Sequence, residues 1–123
     1  RDVAEDAERD RIYLPMEDLA RWGISEDDIK SGKDLIQHPG WEPFVNEYLE
    51  RADGYKQRAF KLLDHLDKSS RYSPAAMASF YQSIASKITK KKGDVFTERI
   101  QLTKAEKITL AAYVYARYRF LAV

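Results

Sequence analysis

The sequence has no cysteine and only two histidines, His38 and His65, in 123 residues. Without cysteine the chain can form neither a disulfide nor a thiolate metal site, and the redox compartment stays open. Two histidines with no nearby partner do not favour a zinc site or a histidine-based catalytic triad. Any chemistry must therefore come from carboxylates, cations and hydroxyls.

A charge excess of one sign is also lacking. The formal net charge is +1, which argues against nucleic acid as a partner. We find no signal peptide and no apolar run long enough to span a bilayer. Hydrophobic residues make up 44% and charged residues 33% of the chain, a balance typical of a globular protein. Residues 1–123 are interpreted as a single segment.

Apolar residues recur with helical spacing, and no stretch alternates as a strand would. Ser25 with Asp28, and Thr103 with Glu106, resemble capping boxes that begin helices. We predict an all-α fold with helices over residues 1–9, 15–22, 25–31, 42–67, 74–90 and 103–120. In the helix over 42–67, the residues expected to form one buried stripe include Val45, Tyr48, Ala52, Tyr55, Ala59, Leu62 and Leu66.

The balanced total conceals a separation of charge along the chain. Residues 1–10 hold five acids and two arginines, a net charge of −3, whereas residues 87–107 carry a net charge of +4. If the fold joins these segments, the resulting site holds both signs, as a site for a metal-bound anion does. A solvated loop is the more frequent meaning of such a basic segment by itself.

Asp2 and Asp6 lie four residues apart, which places both carboxylates on one face of a helix. Mg²⁺ suits such a pair, because it prefers oxygen ligands and commonly bridges carboxylates to substrate phosphate. A solvated acidic face is the more frequent meaning of this spacing by itself.

The order of the segments resembles the squalene/phytoene synthases, the head-to-head isoprenoid synthases. "RDVAEDAERDRIYLP" is similar to their second aspartate-rich motif, with Asp10 at a position where the phytoene branch usually has glycine. "EDLARWGISEDDI", "SRYSPAAMASFYQSI" and "GDVFTERIQLTKAEK" resemble later segments of the family in the same order. The resemblance covers essentially the whole chain.

The resemblance implies the C-terminal portion of an isoprenoid-synthase-type helical bundle, with the N-terminal part of the enzyme and its other aspartate-rich motif missing. It implies that Asp2 and Asp6 bind Mg²⁺ and that Tyr81, on the predicted inner face of its helix, meets the substrate diphosphate. Arg1, Arg99 and Lys104 are the other implied diphosphate-binding residues. We expect these residues to face a shared hollow.

The implied activity is a prenyltransferase that joins two geranylgeranyl diphosphates into phytoene, a carotenoid precursor, through a cyclopropylcarbinyl diphosphate. A squalene, presqualene or dehydrosqualene synthase using farnesyl diphosphate is the alternative within the family. A non-enzymatic helical interaction domain is the alternative outside it. We expect the isolated fragment to be inactive and the parent enzyme to be cytoplasmic, with peripheral membrane association as an open option.

Overall fold

Helices dominate the part of the protein that the structure describes. The computed structural model describes residues 1–121, and no strand occurs among them, which confirms the all-α prediction. The α-helices are α1 (Val3–Glu8), α2 (Met16–Arg21), α3 (Glu26–Lys30), α4 (Trp41–Leu62), α5 (Tyr72–Lys90) and α6 (Lys104–Ala116). Turns of 3₁₀-helix lie at Gly32–Gln37, Leu63–His65 and Lys68–Ser70, and a π-helical turn at Arg117–Leu121 follows α6.

Both predicted capping boxes are present. The Ser25 hydroxyl accepts a hydrogen bond from the Asp28 backbone N–H, and the Asp28 carboxylate accepts one from the Ser25 N–H. Thr103 and Glu106 exchange the same two bonds at 3.1 and 2.7 Å. These bonds satisfy donors that the first helical turn leaves without partners, and they fix where α3 and α6 begin.

Two helix boundaries differ from the prediction. Helix α5 begins at Tyr72, so Pro74 lies within its first turn, where a missing N–H removes no helical hydrogen bond. Helix α4 ends at Leu62 instead of continuing to Asp67, and the chain passes through a 3₁₀ turn to the extended Leu66. Leu63 and Leu66 still pack into a core from this tighter path, which is why their spacing imitated a longer helix.

The predicted buried stripe of α4 is only partly correct. Val45 is buried, but the Tyr55 and Leu62 side chains are 63% and 58% exposed. Ala52 and Ala59 are exposed as well. Periodicity identifies residues that share a helix face, but burial also requires a neighbour on that face.

The chain divides into two compact units. The first comprises Arg1–Glu50 and Ser86–Ile100, and the second comprises Arg51–Ala85 and Gln101–Val123, of which residues up to 121 are described. Helices α4 and α5 each contribute residues to both units.

The first unit is organised around Trp41. Its indole is buried, lies 5.7 and 5.6 Å from the rings of Phe44 and Phe96, and donates a 2.9 Å hydrogen bond to the Gly93 carbonyl. The other buried apolar residues of this unit are Leu19, Ile24, Ile29, Leu35, Val45, Ile88, Val95 and Ile100. The core therefore holds the end of α5 and the loop after it against the start of α4.

The second unit has its own apolar cluster. Leu63, Ala75, Ala76 and Val114 form its buried centre. Partly buried neighbours complete it: Phe60, Leu66, Tyr72, Leu110 and Tyr118. The two alanines are small enough for the helices to approach one another closely.

Gly93 provides a test of the first core. Its φ is +78°, and an added Cβ would lie 3.2 Å from Val45 Cγ2 and 3.3 Å from Trp41 Nε1. We expect Gly93→Ala to lower the free energy of unfolding by about 2 kcal/mol, since strain and crowding act together. Urea denaturation followed by circular dichroism measures the loss.

Gly54 is the matched control. It lies inside α4, its Cβ position is open, and Gly54→Ala should stabilise the protein by about 0.5–1 kcal/mol. Equal effects of the two substitutions would contradict the packing described for Gly93.

Candidate functional site

Helix α1 carries the acidic motif and is closed by an unusual turn. The Arg11 N–H bonds to the Asp6 carbonyl at 2.8 Å, and the Asp10 N–H bonds to the Ala7 carbonyl at 3.0 Å, which is the Schellman pattern. Asp10 has a φ of +57°, in the left-handed region that glycine normally occupies at this position. The turn is thus of the glycine type, although an aspartate forms it.

Lys30, at the end of α3, secures this turn. Its ammonium lies 2.7 Å from an Asp10 carboxylate oxygen and 2.8 Å from Glu26. The hydrogen bond from Lys30 lowers the pKa of the Asp10 carboxyl. Lys30 therefore connects the end of the acidic helix to the next part of the first unit.

Arg99 brings the basic segment to the acidic one. Its guanidinium lies 3.4 Å from Asp2 Oδ1 and 3.2 Å from Glu5 Oε1, across a gap of more than ninety residues in sequence. The three side chains are about half exposed, with values of 50%, 41% and 44%. The sequence left open whether the acidic and basic segments meet; in this trio they do, and the trio is open to solvent.

The loop before Arg99 is held by backbone and side-chain contacts. The Asp94 carboxylate accepts hydrogen bonds from the backbone N–H groups of Phe96 and Thr97 at 3.1 and 2.9 Å. Val95 and Ile100, on either side of the loop, are buried. Lys91 forms an ion pair with Glu98, next to Arg99. Arg99 thus extends from an anchored loop.

Arg1 forms the strongest contact with Asp2. Two guanidinium nitrogens donate hydrogen bonds to the two carboxylate oxygens, at 2.8 and 3.0 Å. These bonds hold the pKa of the Asp2 carboxyl below its ordinary value, and the charge of Arg99 acts in the same direction against partial burial. Asp2 is therefore ionised throughout the physiological range.

Asp6 lies on α1, and Asp2 is the N-cap residue directly before that helix. Within residues 1–121, no hydrogen bond or ion pair engages its carboxylate. No group of three or more acidic or histidine side chains in that part of the chain is arranged to hold a metal ion. The pair Asp2–Asp6 fits Mg²⁺ in donor chemistry, since Mg²⁺ often takes one or two carboxylates and completes its shell with water and phosphate.

Tyr81 and Lys104 lie in the second unit. Tyr81 lies on α5 and is 62% exposed, so the expectation of an inner-facing tyrosine does not hold in this chain. Lys104 is the first residue of α6 and is exposed. Their expected roles at a diphosphate stay predictions.

Two residues of the site escaped the sequence analysis. Glu5 lies three residues from Asp2, and this i, i+3 spacing was a usable signal that both acids share a face. Lys30 left no local signal, because its partner Asp10 lies twenty residues away. Only the folded chain reveals that pair.

Comparison with known proteins assigns the chain to a family. The sequence model of squalene/phytoene synthase matches residues 1–106. The chain belongs to the squalene/phytoene synthase family. No solved structure matches it significantly.

Several plant proteins are similar to the chain over 117 residues, or 95% of its length. It is 38% identical to phytoene synthase 2, chloroplastic, of Zea mays, 37% to phytoene synthase, chloroplastic, of Cucumis melo, and 34% to phytoene synthase 2, chloroplastic, of Solanum lycopersicum. The aligned region covers 28%, 27% and 37% of those proteins. The chain thus spans between about a quarter and just over a third of the length of these three relatives.

Membrane insertion through a helix finds no support in residues 1–121. None of the helices there combines the length and the hydropathy that crossing a bilayer requires.

The Asp2 contacts predict a titration. The folded-state pKa is lowered, so the stability from these ion pairs is fully present above the unfolded pKa of about 4 and is lost as pH falls through the lower folded value. Carbon-detected NMR of the Asp2 carboxyl should give a midpoint below that of an ordinary aspartate. Arg1→Gln should raise the midpoint more than Arg99→Gln does, and the reverse order would contradict the assignment of Arg1 as the main partner.

Proposed function

We propose that this chain is the C-terminal part of a synthase that joins two geranylgeranyl diphosphates head to head into phytoene, through a cyclopropylcarbinyl diphosphate. Family membership and the similarity to phytoene synthases support this substrate and product. The partial coverage of those relatives supports a missing portion that contributes the rest of the site.

One observation carries the proposal. Arg99, from the late segment, pairs with Asp2 and Glu5 on α1. A site that ionises a diphosphate ester needs carboxylates to bind a divalent cation and cationic side chains to bind the leaving diphosphate. The two sets must lie within reach of one another. The fold of the first unit supplies both at one place.

In this proposal each residue has a distinct task. Asp2 and Asp6 hold Mg²⁺, which when bound neutralises charge on the departing diphosphate. Arg99 and Arg1 turn from carboxylates to diphosphate oxygens, and an arginine can bind two such oxygens at once. For Lys104 and the Tyr81 hydroxyl we keep the diphosphate-binding roles that the family resemblance implies.

The pairing of Arg99 with two acids also describes the resting site. Before an anion arrives, the guanidinium charge of Arg99 is balanced by Asp2 and Glu5. Because these pairs are half exposed, each contributes at most about 1 kcal/mol, and a diphosphate can displace Asp2 from Arg99 while Glu5 keeps its contact. Glu5 is then a positioning residue that aims Arg99.

The proposed acid pair is tested by turnover. In the full-length synthase, Asp2→Asn and Asp6→Asn should each lower kcat with geranylgeranyl diphosphate by about 10²-fold or more, because charge stabilisation at the leaving group is lost. Product formation from radiolabelled substrate measures the rate, and circular dichroism verifies the fold.

Glu8→Gln is the matched control on the same helix, since Glu8 is exposed and lies outside the Arg99 contacts. Its activity should stay within about twofold of the parent, as expected for a surface substitution. Equal loss in Glu8→Gln, or retained turnover in Asp2→Asn, would refute the assigned roles.

The Glu5–Arg99 contact predicts energetic coupling. Arg99→Gln should raise KM for the diphosphate substrate several-fold, and Glu5→Gln should raise it less. In the double variant the two effects should be non-additive, because the residues share one contact. Glu5→Asp, which keeps the charge, should restore part of the loss.

A purely structural role for Glu5 would give a different pattern. It would lower the melting temperature without changing KM, and the effects of Glu5→Gln and Arg99→Gln on KM would add. That outcome would remove Glu5 from the site and leave the roles of Asp2 and Asp6 to their own test.

A further inference from the structure

A groove in the second unit is lined by polar side chains that packing of the apolar cluster does not require. It encloses about 310 Å³, near the lower end of the range for small-molecule sites. The lining residues are Lys68, Ser69, Tyr72, Tyr115, Tyr118 and Arg119. Every one of them carries a polar hydrogen-bond donor, and no carboxylate is among them.

These donors have no partner within the part of the chain described. Neither Lys68 nor Arg119 forms an ion pair there, and no hydrogen bond engages the three tyrosine hydroxyls. Arg71, by contrast, donates to the carbonyls of Leu66 and Asp64. The groove thus gathers cations and hydroxyls whose hydrogen-bonding capacity is unused.

Local structure fixes the walls of the groove. Lys68 and Ser69 lie on a 3₁₀ turn, and Tyr72 is the first residue of α5. The rings of Tyr72 and Tyr115 meet edge to face at 5.5 Å, and Tyr72 and Tyr118 also pack on the apolar cluster of this unit. Arg119 lies on the π-helical turn, a departure from α-helix that is frequent at functional sites.

We propose that this groove binds the phosphate group of a small organic phosphate. Two cations and several hydroxyl donors match an anion with three or four acceptor oxygens better than a carboxylate with two. The tyrosine rings offer an apolar surface to the carbon-bearing part of the ligand. Phosphate of this kind occurs in soluble metabolites and in lipid headgroups, and the groove recognises the chemistry that they share.

The proposal is independent of the function assigned above. None of the groove residues belongs to the site formed by Asp2, Asp6 and Arg99, and no resemblance assigns them a ligand. Retained turnover in the Asp2 and Asp6 variants would refute the roles assigned at that site and leave this proposal untouched, and failure of this proposal leaves the synthase assignment untouched.

The soluble source is tested with glycerol 3-phosphate. Its addition should shift the backbone NMR signals of Ser69, Tyr72 and Arg119, and the response should weaken as salt screens the charges. Lys68→Gln and Arg119→Gln should each weaken binding about three- to fivefold, as for contacts made by exposed charges. The double variant should lose about tenfold.

Arg117→Gln is the matched control, because Arg117 begins the same π-helical turn but does not line the groove. It should leave the affinity unchanged. Tyr115→Phe, which keeps the ring and removes the hydroxyl, should weaken binding, whereas Tyr113→Phe should not. Circular dichroism verifies that each variant keeps its helices.

The lipid source is tested with vesicles. Phosphatidylglycerol vesicles should bind the protein more tightly than phosphatidylcholine vesicles, and the two groove substitutions should weaken that binding while Arg117→Gln leaves it intact. A response to vesicles without one to glycerol 3-phosphate assigns the groove to a headgroup. The reverse assigns it to a soluble phosphate.

Two results would overturn the proposal. One is the absence of any groove response to either probe in the folded protein. The other is an equal loss of affinity in Arg117→Gln and Arg119→Gln, because the binding would then depend only on the general positive charge of this turn.

Discussion

The hydrogen bond from the Trp41 indole to the Gly93 carbonyl fixes the position of the loop after α5, which carries Arg99. Trp41 is 1% exposed, so its N–H must find a partner inside the protein. Gly93 provides it because it adopts a positive φ and has no Cβ to collide with the ring. From that fixed point the chain turns through Asp94 to Arg99. The reach of Arg99 toward α1 thus depends on a buried contact between the start of α4 and the loop after α5.

Charge balance then governs what the site can do. Asp2 is engaged by two arginines, whereas the Asp6 carboxylate, in the part of the chain that is described, takes part in no ion pair or hydrogen bond. A cation arriving at α1 therefore meets one free carboxylate and one that must be shared. An anion arriving at the same time offers the arginines a new partner. Exchange of partners among half-exposed groups requires little reorganisation of the core, because no buried charge has to be uncovered.

Hydrogen bonds between residues close in sequence could be predicted, whereas contacts between residues distant in sequence could not. The capping boxes at Ser25 and Thr103 were predictable because their donors and acceptors lie three residues apart. The family resemblance assigned Arg99 to the diphosphate, and its ion pairs with Asp2 and Glu5 became visible only in the structure. The exposure of Tyr55 and Tyr81 was not predictable, since helical spacing does not say whether a neighbour covers a face. The contact between Lys30 and Asp10 was not predictable either, because it depends on the path of the intervening chain.

The brevity of α1 limits how the acidic motif can be used. At six residues, the helix is far below the length at which a peptide keeps its shape in water. Its ordered state comes from elsewhere: the left-handed Asp10, the ammonium of Lys30 and the guanidinium of Arg99. A synthetic peptide copying "RDVAEDAERD", or the same letters grafted onto a foreign scaffold, lacks those supports. The conformation of the motif therefore depends on the folded unit as a whole and would not be kept in isolation.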